Sequence, residues 1–247
     1  KARSRQYHTI VAKLLYVAKR SRVDILLTVA ALCTRVREPN EDDWMKLERL
    51  MKYLNGTADQ VLVLRPTTLN MVGYIDAAFG CHEDGKSHTG LVVTVGGATV
   101  LCVSSKQKIV TKDSTEAELV GLSDKVMSVV QCSDFMRAQG HDIGVPQLMQ
   151  DNTSTITLVT KGGGKYRSKY MKVRQEFVKE RVDSGDVSVH YLSTKLMLAD
   201  VLTKPLQGEL YRVLTSGIIG VTPSRHRGAL EESRSEAGAK SAWKDGA

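Results

Sequence analysis

Four carboxylates in this sequence occupy places from which acidic side chains can converge: Asp76, Glu118, Asp151 and Asp200. Asp76 closes an apolar run in Tyr74-Ile75-Asp76-Ala77, and Glu118 falls in the first turn of a long helical pattern. Asp151 ends a short strand pattern in Gln150-Asp151-Asn152, and Asp200 lies on a short helical segment, Ala199-Asp200-Val201-Leu202. An acid in the middle of a buried strand is costly to leave unpaired, whereas strand-end acids escape that cost and can meet acids from neighbouring helices. Grouped carboxylates repel, and some take up protons unless cations are bound. Magnesium suits such a group, being a hard ion that takes oxygen ligands and keeps waters. Two such ions about 4 Å apart can activate a water and stabilise the leaving oxygen of an in-line phosphodiester cleavage, with no histidine or cysteine ligand. Each acid also has an ordinary role. Asp76 can cap a turn, Glu118 has capping-box spacing from Thr115, Asp151-Asn152 is a plausible helix N-cap pair, and Asp200 can be a solvated helix acid. Taken singly, these roles are the better account, and spacing alone does not overturn them.

The elements that must position these acids fit within the chain's bounds. With 247 residues and 42% hydrophobic content, it can bury one sizeable core and part of a second. Its net charge of +8 favours a polyanionic partner without requiring one. The four cysteines, Cys33, Cys81, Cys102 and Cys132, form no C-x-x-C pair, so structural zinc and a disulfide framework are not expected, and a reducing, intracellular setting fits best, either a cytoplasmic particle or the nucleus. Cys81, His82 and His88 lie close together, yet no second ligand pair has zinc-site spacing, so they read as a polar loop. The longest apolar stretch, Ile25 to Cys33, is too short to span a membrane, and no signal peptide is present. Starting at Lys1, the chain reads as a piece of something longer.

Apolar spacing near 3.6 predicts helices through Ile10 to Val17 and Ile25 to Leu32. Pro39 to Asp43 is a helix start with acids in its first turn, and Asn55-Gly56 is the stop. Val61 to Leu64, Met71 to Asp76, Gly90 to Val95 and Ala98 to Val103 read as strands, the last two joined by a Gly96-Gly97 hairpin signal. A long helix is predicted over about 115–139, a fourth strand over 147–151 and a short helix around 156–159, broken by three glycines. A helix over 170–182, a half-exposed strand over 186–192 and a last short helix ending near Pro205 complete the order. From about 219 the chain turns polar and small, and disorder is expected there.

Read together and in order, the local motifs change the balance. Tyr74-Ile75-Asp76-Ala77, Ser104-Ser105-Lys106-Gln107, Ser114-Thr115-Glu116-Ala117-Glu118-Leu119, Asp151-Asn152 and Leu198-Ala199-Asp200-Val201-Leu202-Thr203-Lys204-Pro205-Leu206 resemble the ribonuclease H region of copia-type retrotransposon Pol polyproteins. The stretch around Asp200 is the most specific of these. Tyr7 to Tyr16 and Ser21-Arg22-Val23-Asp24-Ile25 resemble the segment that follows the polymerase core in such polyproteins, while the polymerase's own Tyr-x-Asp-Asp signature is absent. The resemblance covers about residues 7 to 215.

The resemblance implies an α/β, ribonuclease H-like fold: a five-stranded mixed sheet flanked by helices, its first three strands antiparallel, preceded by a small helical segment. It implies three regions: 1–66, a helical thumb or connection remnant of a reverse transcriptase; 67–206, the ribonuclease H domain; and 207–247, a C-terminal extension. The implied activity is magnesium-dependent cleavage of the RNA strand of an RNA–DNA hybrid. Two Mg2+ ions, with Mn2+ as a substitute, would be held by Asp76, Glu118, Asp151 and Asp200. Glu116 competes with Glu118 for the helix position, and Glu118, with its apolar successor Leu119, matches the family's pattern better. Two residues apart on a helix, the pair points about 160° apart, so both cannot face one metal.

A hybrid of near A-form shape is read through phosphates and 2′-hydroxyls. The basic run Lys161, Lys165, Arg167, Lys169, Lys172 and Arg174 is the expected phosphate contact, with Thr89, Asn152 and Ser154 as neutral hydrogen-bonding partners. The upstream reverse transcriptase part is the expected protein partner, and no membrane is expected. Two departures from the family's pattern stand out: Ala78, where a second Asp is frequent, and Lys169-Tyr170-Met171-Lys172, where a Lys-His-Ile-Asp stretch is usual. They keep open a catalytically inactive, nucleic-acid-binding or structural remnant. An integrase-like enzyme of the same fold is a third reading, against which the Asp200 motif argues.

Overall fold

The computed structural model describes residues 2–163 and 168–221. Its centre is one sheet of five strands, β1 (Met71–Ala78), β2 (His88–Val95), β3 (Ala98–Lys106), β4 (Gln147–Gln150) and β5 (Ser188–Tyr191), in the order β3-β2-β1-β4-β5. The first three run antiparallel, whereas β4 is parallel to β1 and β5 parallel to β4. The β2–β3 turn is Gly96-Gly97, with φ of 55° and 85°, the double positive φ of the tight hairpin turn whose twist matches paired strands. This is the mixed, ribonuclease H-like sheet that the motifs imply.

Seven α-helices among the described residues flank it: α1 (Ala2–Arg20), α2 (Leu26–Cys33), α3 (Glu41–Gly56), α4 (Ser114–Ala138), α5 (Thr153–Lys161), α6 (Lys169–Asp183) and α7 (Gly208–Ile218). Alternation along β1 sends its side chains to two cores. Met71 and Ile75 pack with Leu119, Val126 and Val129 of α4, Val159 of α5 and Val178 of α6. Val72 and Tyr74 pack on the other face with Tyr7, Val11, Leu26 and Val29 of the first two helices and with Leu214 and Ile218 of α7. Both faces of the central strands are covered, so β1 and β2 read as nearly continuous apolar runs rather than alternating ones.

The N-terminal helices are pinned by a buried ion pair. Arg22 grips Asp24 with two hydrogen bonds of 3.0 and 2.8 Å, Tyr53 of α3 donates to the same carboxylate at 2.9 Å, and Arg22 also donates to the Thr57 carbonyl at 3.0 Å. The Ser21-to-Ile25 motif is therefore the clasp between α1, α2 and α3.

Two local expectations need correction, and one helix adds to the expected order. Val61 to Leu64 joins no ladder; Val63 N–H donates to the Ile219 carbonyl at 2.8 Å, so this apolar run is tied to the end of α7. The N-cap of α4 is Asp113, whose side chain accepts from Glu116 N–H, while the Glu116 carboxylate accepts from Lys112 N–H at 3.0 Å. The capping acid is thus Glu116 rather than Glu118. Helix α7 was not anticipated, because no side chain caps its start at Gln207 and its buried face is only Leu214, Thr215 and Ile218. The polar tail expected to be disordered lies outside the described residues, apart from its first few positions.

Leu198–Leu202 forms a short 3-10 turn that lies directly against β2 at Gly90. A methyl group there would come within 2.8 Å of the Ala199 carbonyl oxygen and 2.8 Å of Thr203 Cγ2. The absent side chain is what lets the Asp200 segment sit on the sheet. Gly90→Ala should therefore cost about 1–3 kcal/mol of stability, the usual range for overpacking. Chemical denaturation checks this, and an unchanged midpoint would contradict the close approach.

Candidate active site

Tyr74 of β1 pairs in parallel with Met149 of β4. Two residues further on come Asp76, near the carboxyl end of β1, and Asp151, just past the end of β4, so the sheet register brings these acids side by side. Helix α4 packs across β1 and carries Glu118 to the same point from its second turn, one turn further in than the sequence pattern suggests, since the helix starts at Ser114 and Glu116 is the acid of its first turn. One carboxylate oxygen from each of Asp76, Glu118 and Asp151 lies within 4.8 Å of the others. Asp76 and Glu118 are buried, and Asp151 is half-buried.

Neighbouring polar groups aim these acids. The Gln150 side-chain amide donates to Glu118 at 3.2 Å, and its Oε1 accepts from Asp151 N–H at 2.9 Å and Asn152 N–H at 3.2 Å. Thr194 donates to Asp151 at 2.7 Å. The buried Gln107 amide donates to Thr89 Oγ1 and to the Ala117 carbonyl, both at 2.9 Å, which fastens the end of β3 to the turn that carries Glu118.

Asp200 is buried beside this trio rather than within it. The Lys204 ammonium bridges Asp200, at 2.8 Å, and Asp76, at 3.1 Å. Thr203 donates to the second oxygen of Asp76. One segment, 200–204, thus supplies an acid, a cation and a hydroxyl to the same spot.

The electrostatics follow from burial. Glu118 is held well above the ordinary carboxylate range by desolvation first, then by Asp76 and Asp151. Asp200 is pushed up to about 7 by burial first and by Asp76, with Lys204 opposing. Burial pulls Lys204 down, but Asp76 and Asp200 outweigh it and hold the ammonium above its ordinary value. A cluster of carboxylate oxygens within 4.8 Å of one another, two of its three residues buried, fits a hard divalent cation, and Asp76, Glu118 and Asp151 are the residues that would hold it.

The remaining expected contacts are spread more widely. Glu116 is occupied at the helix cap and lies outside the trio. Thr89 is buried and already accepts from Gln107, so it presents no surface to a duplex. Asn152 caps α5 by accepting from Thr155 N–H at 3.0 Å, next to Asp151, and Ser154 is exposed in the first turn of that helix. Lys161 and Lys169 are exposed at the end of α5 and the start of α6, and Arg174 is paired with Asp124. Lys165 and Arg167 lie outside the described residues. Reasoning from the acids alone missed Gln107, Gln150, Thr203 and Lys204, although three of these sit in the quoted motifs and Gln150 adjoins Asp151.

This sheet with acids gathered at the ends of its central strands defines a ribonuclease H-like domain. Its homologues are retrovirus-related Pol polyproteins of copia-type transposons, matched over most of the chain. The Pol polyprotein from transposon RE2 of Arabidopsis thaliana is 31% identical over 224 residues, covering 89% of this chain, and that from transposon TNT 1-94 of Nicotiana tabacum is 28% identical over 199 residues, covering 80%. The chain spans about 15% of the length of both relatives. No family model matches the chain. Among solved structures, LC11-RNase H1 from compost is 14% identical with a TM-score of 0.42, covering 55% of this chain and 94% of that one. The same enzyme in complex with an RNA/DNA hybrid gives 14% and 0.41, covering 54% and 94%.

The raised acids set a pH dependence. Glu118 and Asp200 hold protons more tightly in the folded chain than in the unfolded one, so folding takes up protons. The stability this confers is full below the ordinary carboxylate range and is lost as pH rises through about 7. Without divalent ions, the melting temperature should fall by several degrees between about pH 5 and pH 8. Asp200→Asn or added magnesium should flatten that slope. A melting temperature that rises over the same interval in chelator would refute the assignment.

Proposed function

We propose that the chain is the ribonuclease H part of a retrotransposon Pol polyprotein and cleaves the RNA strand of RNA–DNA hybrids. The observation that carries this reading is the meeting of Asp76, Glu118 and Asp151 at the carboxyl end of two adjacent parallel strands, with Asp200 tethered to Asp76 through Lys204. The substrate class comes from the ordered motifs and from the Pol relatives rather than from the acids, which would serve any phosphodiester. Magnesium, as two ions with manganese as a substitute, would supply an activated water and neutralise charge on the leaving oxygen. The protein's own part is to hold the acids at fixed separation, exclude bulk water from Asp76 and Glu118, and present donors to the phosphates.

Substrate contact is assigned to the rim. Asn152 and Ser154 stand at the start of α5, where backbone N–H groups also point outward, and Lys161 and Lys169 provide charge beyond it. Lys165 and Arg167 belong to the same assignment by sequence. Residues 67–206 would carry the activity, 1–66 would connect it to the upstream reverse transcriptase, and 207–247 would extend it, in an intracellular particle or the nucleus.

The decisive experiment compares hybrid, duplex DNA and single-stranded RNA with magnesium, manganese or chelator. The RNA strand of the hybrid should be cut to 3′-hydroxyl and 5′-phosphate ends in either metal. Asp76→Asn should lower the rate at least about a hundredfold while leaving the circular dichroism spectrum unchanged. Cleavage by that variant at the parent rate would sink the assignment. Tight hybrid binding without cleavage would establish the non-cutting remnant instead.

A further inference from the structure

His88 opens β2 and is almost fully buried, and the chemistry proposed above leaves it without a role. Its Nε2 lies 2.7 Å from Ser104 Oγ, and its Nδ1 lies 3.0 Å from Nε2 of His82 in the β1–β2 loop. Ser104 Oγ in turn donates to the Leu202 carbonyl at 2.8 Å. Leu202 stands between Asp200 and Thr203, the residue that donates to Asp76.

Counting protons fixes the direction of every link. A carbonyl only accepts, so the single hydroxyl proton of Ser104 is spent on Leu202. Ser104 must then accept from His88, which puts the imidazole proton on Nε2. A neutral His88 with that tautomer has a bare Nδ1, which can only accept, so His82 must donate from its Nε2. Burial keeps His88 neutral, pushing its pKa down to about 4, with His82 and Lys125 adding to the effect. The chain of donors therefore runs one way, from His82 to His88 to Ser104 to the Leu202 carbonyl.

We infer that His88 and Ser104 are positioning residues for the acid-bearing segment 200–204, acting through the Leu202 carbonyl. The 3-10 turn that carries Asp200 is short, and no side chain caps its start. Its Leu202 carbonyl is anchored instead from β3, at the position where Gly90 lets the turn approach the sheet. Fixing that carbonyl fixes the backbone on both sides of it, and with it the directions of Asp200 and of Thr203. Groups that orient metal-binding side chains from behind commonly account for 10–100-fold in metal affinity or activity.

This inference rests on the proposed nuclease reading for its activity readout, but two other readouts stand apart from cleavage. Two-bond proton–nitrogen spectra of the full chain should show His88 protonated at Nε2 and bare at Nδ1, with His82 protonated at Nε2. Calorimetric titration with magnesium, in the absence of nucleic acid, should show about tenfold weaker binding for Ser104→Ala. His88→Phe should weaken it in the same direction, and His88→Gln, whose amide both donates and accepts, should restore part of the loss. In the cleavage assay Ser104→Ala should lower kcat with little change in KM for hybrid. A His88 proton found on Nδ1 would overturn the inference. So would variants that melt earlier yet keep the parent magnesium affinity. Should Ser104→Ala fail to fold, the spectra and the His88→Gln titration still decide. Loss of cleavage with the predicted tautomers and affinities intact would count against the nuclease reading alone.

Discussion

Buried like charges are the constraint around which this structure is arranged. Asp76, Glu118 and Asp151 present oxygens within 4.8 Å of one another, in a place where water screens two of them poorly. Such a group gains nothing for folding; its members repel, and burial holds Glu118 well above its ordinary range. It persists only because every acid is carried by an element whose position is set elsewhere. The β1–β4 register places Asp76 and Asp151, the packing of α4 across β1 places Glu118, and the Gly90 contact places Asp200. The hydrophobic cores therefore supply the free energy that a carboxylate cluster cannot, and the cluster is left ready for a cation.

Lys204 shows how the chain meets part of this strain with its own atoms. An ammonium between Asp76 and Asp200 offsets part of their charge, although burial still pushes Asp200 up to about 7. It comes from the same short segment as Asp200, four residues on. The Leu198-to-Leu206 motif thus encodes an acid and its counter-charge together with Thr203, the hydroxyl that holds Asp76 from the other side. The most specific stretch in the sequence thus places two of its side chains, Thr203 and Lys204, on one carboxylate.

The legibility of the fold followed the strength of local signals. The Gly96-Gly97 turn, the long α4 pattern and the three antiparallel strands were readable because each is dictated by neighbours in sequence. Met71–Ala78 and His88–Val95 were longer than their apolar runs suggested, since Ala77, Ala78, His88 and Thr89 continue the ladder as polar or small residues. Val61–Leu64 misled because apolar content alone cannot tell a strand from a segment packed beside a helix end. Among the acids, the ordered motifs offered four positions and favoured Glu118 over Glu116; the structure gathers Asp76, Glu118 and Asp151, sets Asp200 beside them, and engages Glu116 at a cap that spacing from Thr115 disguised. The roles of Gln107, Gln150, Ser104 and His88 were unreadable for a physical reason: each meets at least one partner ten or more residues away in sequence. A polar side chain carries no local sign of the carbonyl it will meet.

The second core gives the N-terminal helices a part in the site. Leu198, Val201 and Leu202 pack in the same cluster as Tyr7, Leu26 and Val29, and as Leu214 and Ile218 of α7. The turn bearing Asp200 is therefore held between the sheet on one side and a helical layer on the other. The Arg22–Asp24 clasp, bound by Tyr53 and lying near Tyr211 through that tyrosine, keeps the layer together. Since the turn is only five residues long and lacks a capping side chain, its order must come from this sandwich and from the Ser104 anchor. Residues before the first strand thus determine how firmly the last acid is presented to Asp76, although none of them lies among the carboxylates.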